Sequence, residues 1–155
     1  EVFSMKSAKR RIFTIVMACF MACMMFAMPV LAATTSSSYF SKTTTKLNAL
    51  NGGKSNISSV TSGSTPDGAS VTSVKVFVNV ARGTDPYTLY IQSPEGTIAS
   101  FSGPTSSATF TTDVFNGETP KGTWKVWIVN SGVSYNGNIY PASTATVSLT
   151  VYYDY

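Results

Sequence analysis

The sequence predicts an all-β protein, an antiparallel sandwich of jelly-roll type, on three observations. Apolar residues alternate with period two from Val71 onward, and clusters of Gly, Pro, Asn and Ser divide the alternating runs. No window carries the 3.6-residue period of an amphipathic helix. Several short, β-branched and aromatic strands at regular spacing belong to a sandwich or jelly roll.

The alternation is plainest over residues 74–80, where Val74, Val76, Val78 and Val80 share one face and Lys75, Phe77 and Asn79 the other. Successive side chains in a strand point to opposite faces, so the valines are expected in the core. Tyr87, Leu89 and Ile91 form the inner face of the next strand, which the turn Ser93-Pro94-Glu95-Gly96 closes. Only glycine readily takes the positive φ such a reversal needs. Strands are also expected over residues 97–101 and 108–112. Next, Trp124, Val126 and Ile128 alternate with Lys125, Trp127 and Val129, and the last strand runs through Ala145, Val147, Leu149, Val151 and Tyr153. Trp124 is expected to be the large buried anchor.

Ahead of this region, residues 34–68 are dominated by Ser, Thr, Asn and Gly, a composition that favours a linker or loosely held first strands. A short strand is expected near Ile57 to Val60. The first residues read differently. Lys6, Lys9, Arg10 and Arg11 precede an apolar run from Ile12 to Ala33, the pattern of a helical secretory signal peptide. Pro29 and the small residues Ala32 and Ala33 favour cleavage there over retention as a membrane anchor. The apolar run beyond Cys19 argues against lipidation at that cysteine. The expected division is therefore 1–32 upstream residues and signal peptide, 33–69 a Ser/Thr/Gly-rich segment, and 70–155 the sandwich. The domain is expected to be secreted or at the cell surface, touching membrane only through the signal segment before cleavage.

Charge follows that division. The net charge of +4 falls to +1 beyond residue 32, so the basic balance belongs to the targeting segment and gives no reason to expect a nucleic-acid partner. Both cysteines, Cys19 and Cys23, also lie in that segment, which leaves the exported domain without a disulfide. Its stability is expected to come from burial and hydrogen bonding.

Three pieces in order carry a resemblance: the valine strand 74–80, the run Tyr87-Thr88-Leu89-Tyr90-Ile91-Gln92-Ser93-Pro94-Glu95-Gly96-Thr97, and Gly122-Thr123-Trp124-Lys125-Val126-Trp127-Ile128. Together they resemble the P domain, or P/Homo B domain, the β-sandwich that follows the catalytic domain of kexin-like and furin-like subtilisin proteases. The resemblance implies a sandwich working beside a protease. The chain departs from the pattern by having no histidine, by setting Asp85 one residue further from the Ser-Pro pair, and by carrying Asn130 and Val147 where the family often has Asp and a second Trp. Protease activity in that family resides in a separate catalytic domain, so a serine endopeptidase activity carried over by similarity is not expected of this chain.

Without histidine, and without cysteine beyond residue 23, neither a Ser/His/Asp nor a Cys/His nucleophile can be assembled in the exported part. A glycosidase pair from Glu95 and Glu118 is formally open, with solvated loop charges as the simpler reading. No cofactor is expected; calcium is the one to consider, held by loop oxygens of Asp85, Asp113, Asn116 and Glu118 at one end of the sandwich, with ordinary loop polarity as the simpler reading. Among the aromatics, Tyr87, Trp124 and Phe110 are expected to face inward. Trp127, Tyr90, Tyr135, Tyr140 and Tyr152 are candidates for an outward face, the first four forming the candidate binding surface. The expected function is a non-catalytic module that binds or stabilises an extracellular protein, with a subtilisin-like protease as the first partner to consider. The alternative is a carbohydrate-binding or adhesin-type surface module, for which exposed rings would stack on glycan.

Overall fold

The computed structural model describes residues 34–82, 86–132 and 142–155, and the expected signal segment lies outside them. Every regular element among the described residues is a strand: β1 (Ser37–Thr43), β2 (Leu47–Leu50), β3 (Ser58–Thr61), β4 (Ser70–Arg82), β5 (Tyr87–Gln92), β6 (Ile98–Ser102), β7 (Ala108–Thr112), β8 (Thr123–Asn130) and β9 (Ala142–Asp154). Two antiparallel sheets result. One has the order β1-β9-β4-β7 with β2 also on β9, and the other has the order β3-β8-β5-β6.

The pairings nest. β1 and β2 lie on β9, β3 on β8, β4 on β7 and β5 on β6. The chain is thus a long hairpin with its tip at the β5–β6 turn. It is rolled so that β9 also meets β4 and β8 also meets β5. That is the jelly-roll arrangement.

Period-two alternation puts one face of each sheet inward. Val74, Val76, Val78, Val147, Leu149 and Val151 from one sheet meet Leu89, Ile91, Trp124, Val126 and Ile128 from the other, all with no exposed surface. Leu47 and Ala49 of β2 and Val60 of β3 complete this core. The Ser/Thr-rich segment expected as a linker with early strands therefore supplies three strands, and Thr35–Tyr155 forms one compact unit. Asn51 and Gly52 take φ of 47° and 73°, and the Gly53 N–H donates to the Leu50 carbonyl at 2.8 Å. This tight turn carries the chain from β9's edge to β8, where Lys54 bridges Val129.

Candidate binding surface

The motif residues are placed first by packing. Trp124 is fully buried, donates its indole N–H to the Pro120 carbonyl at 3.2 Å, and meets Phe115 edge-on with centroids 5.2 Å apart. Gly122, two residues earlier, has φ of 133°, and a Cβ there would stand 2.9 Å from Cβ of Pro94. The Ser-Pro-Glu-Gly turn and the Gly-Thr-Trp strand are therefore one packed unit at one end of the sandwich. A Glu95 carboxylate oxygen reinforces it by accepting the Thr119 N–H. The Ser93 carbonyl accepts the Gly96 N–H at 3.1 Å, closing the turn around the positive φ of Gly96.

Of the expected calcium ligands, Asp85 lies outside the described residues. Asp113 and Asn116 share a turn in which the Asn116 N–H donates to the Asp113 carbonyl at 3.0 Å. Glu118 places one carboxylate oxygen, Oε2, in a buried position without a hydrogen-bond partner. No three His, Cys, Asp or Glu side chains among the described residues gather as a metal site. Of the Glu95–Glu118 pair, the Glu95 carboxylate is engaged by the Thr119 N–H, while Glu118 contributes its backbone carbonyl to the Val71 N–H.

The aromatic candidates divide. Tyr135 and Tyr140 lie outside the described residues. Trp127 and Tyr90 are direct cross-strand partners on the outer face of the β3-β8-β5-β6 sheet. Their rings stack at 5.3 Å between centroids and 3° between planes, and Lys54 Nζ sits 4.5 Å from the Trp127 centroid. Trp127 was expected as an exposed ring, yet it is only 8% exposed. The alternation assigns its face correctly. What it misses is cover: the flat face of Tyr90 and the ammonium of Lys54, which arrives from the segment before β3, take the place of solvent. Tyr152 does face outward, at 37% exposure, and its ring centroid lies 5.7 Å from that of the 61% exposed Tyr39, both on the β1-β9-β4-β7 sheet. Tyr39 was not among the candidates, although as Tyr152's partner in the β1–β9 register it is found once the strands are paired.

Inward, Tyr87 donates its hydroxyl to the Pro104 carbonyl at 2.9 Å, and burial raises its pKa to about 12. Asn130, which stands where the resemblance would place Asp, is buried. It donates Nδ2 to the Ser143 hydroxyl at 2.9 Å and accepts the Gly52 N–H at 3.2 Å. In this chain that position ties the end of β8 to the β2 turn and to the start of β9.

No family model matches the chain, and no curated protein matches it in sequence. Among solved structures, FLHE is similar with a TM-score of 0.53 and 16% identity, over 78% of this chain and 98% of FLHE. The serine protease of Aeromonas sobria is similar with a TM-score of 0.52 and 16% identity, over 76% of this chain. The matched part is 27% of that protease chain, so the present chain corresponds to about a quarter of its length. The crystal structure of that protease with its chaperone gives a TM-score of 0.53 over the same share of this chain. At these identities the likeness is one of fold: the rolled sandwich described above recurs both as a protein of similar length and within a much longer protease structure.

Proposed function

We propose that this chain is a non-catalytic, P-domain-like β-sandwich module, exported and freed from its signal segment, that binds or stabilises an extracellular protein. The partner proposed first is a subtilisin-like serine protease. The observation that carries the reading is the joint packing of Pro94 and Gly122, which makes the two family-like motifs a single structural unit within a jelly roll. The likeness in fold to about a quarter of the Aeromonas sobria protease chain supports it. So does the composition, which offers the exported part neither imidazole nor thiol for nucleophilic catalysis.

The test is isolation of the tagged chain from culture medium, with mass spectrometry of its N-terminus and of co-purifying proteins. The expected result is a chain beginning near Ala33 together with a stoichiometric subtilisin-like protease. A partnerless monomer with no surface association would contradict the proposal. In the carbohydrate alternative, Trp127 does not serve as an exposed stacking ring, because it is covered.

A further inference from the structure

The outer face of the β3-β8-β5-β6 sheet carries an incomplete aromatic row. Lys54 Nζ lies over Trp127, Trp127 stacks on Tyr90, and the next position across the sheet is Ser100, the direct partner of Tyr90 on β6. A ring that lies flat against one neighbour turns its second face the opposite way. The centroid separation of 5.3 Å is close to the spacing between strands, about 4.8 Å, so the stack runs across the sheet and the second face of Tyr90 looks toward β6. There it meets an exposed serine, too short to cover a ring. Among the described residues β6 is the edge strand, and no further described strand pairs with it from outside.

We propose that this vacancy is a saccharide subsite, in which the flat C–H face of a neutral pyranose packs on the β6-facing side of the half-buried Tyr90 ring above Ser100. The neighbouring positions on the same face decide between ligand classes. Thr88 and Ser102 pair on one side of the Tyr90–Ser100 row, Gln92 and Ile98 on the other. Hydroxyls and an amide thus border the ring face, with the 54% exposed Ile98 as an apolar floor. Gln92 donates its amide N–H to the Gly96 carbonyl at 3.3 Å and keeps its side-chain carbonyl as an acceptor. A wholly apolar ring would desolvate these groups without pairing them, which is costly. A second cation would find no carboxylate among these four positions, and the row already carries the Lys54 ammonium. A neutral sugar offers both what the ring face and what the polar border need.

This proposal is independent of the protease partner, which stands or falls on co-purification. The test uses the whole protein titrated with maltohexaose, cellohexaose and N-acetylchitohexaose, followed by calorimetry and by the amide NMR signals of β5 and β6. At least one neutral oligosaccharide is expected to bind and to shift the Tyr90 and Ser100 signals. Ser100→Tyr, which fills the vacancy with a ring of the protein's own, is expected to weaken that binding at least tenfold while the melting temperature is kept or raised. Tyr90→Phe, which keeps the ring face, is expected to retain it. Absence of binding by all three sugars at millimolar concentration would overturn the proposal, as would binding that Ser100→Tyr leaves unchanged. Arginine amide binding at this position in place of the sugars would overturn the assignment to saccharide.

Discussion

The two tryptophans of β8 stand three residues apart and lie on opposite faces of one strand, and their surroundings set different costs for removing them. Trp124 fills the space between the sheets with no exposed surface, so Trp124→Ala is expected to destabilise the domain by about 3–5 kcal/mol. Trp127 is held from outside by one ring and one ammonium, and Trp127→Ala is expected to cost less, about 1.5–3 kcal/mol. Chemical denaturation of both variants checks the order, and a larger loss at Trp127 would reverse the assignment of core and surface. Gly122 is a third sensitive residue. A methyl group there meets Pro94 at a φ that side chains rarely adopt, so Gly122→Ala is expected to cost about 1–3 kcal/mol in the same measurement. Tyr87 sets an alkaline limit. Its folded pKa of about 12 lies above the ordinary value of 10.0, so its contribution is complete below pH 10 and is lost as pH rises from 10 towards 12. Stability measured across that range is expected to fall, and Tyr87→Phe is expected to flatten that part of the profile.

Elements differ in how far the sequence discloses them, and the reason is where each gets its stability. The alternation of β4, β5, β8 and β9 is written in valine, leucine, isoleucine and tryptophan, so faces and core residues are legible there. β1 is not, since Ser37–Thr43 has few apolar residues and little buried surface. It is held by its ladder to β9 and by hydroxyl contacts across it: Ser37 to Asp154 at 2.7 Å, Ser41 with Thr150 at 3.1 Å and Thr43 with Ser148 at 2.7 Å. Such pairs depend on a partner more than a hundred residues away, which no local pattern discloses. The same holds for Trp127, whose face was legible but whose cover by Lys54 comes from a segment with no strand signal of its own. Asn51-Gly52 did carry a local signal, the turn dipeptide whose residues accept positive φ. Asn130 joins three of these elements through one buried amide. Asn130→Ala strips the Gly52 N–H of its acceptor and is expected to cost about 1–3 kcal/mol by denaturation.

At the scale of the molecule, the jelly roll explains why so polar a first segment is indispensable. Without β1 and β2, β9 would lose the neighbours on one side, and without β3 so would β8. Among the described residues, the roll gives the unit Thr35–Tyr155 two outer sheet faces, one bearing the Tyr39–Tyr152 pair and the other the Lys54–Trp127–Tyr90 row. Those faces suit a molecule that acts by contact, in keeping with the non-catalytic association with an extracellular protein proposed for it. Light scattering of the untagged chain, fractionated by size from culture medium, measures that association. Elution at the summed mass of one chain and one subtilisin-like protease is expected, while elution of all the chain at the mass of the lone domain would rule the association out.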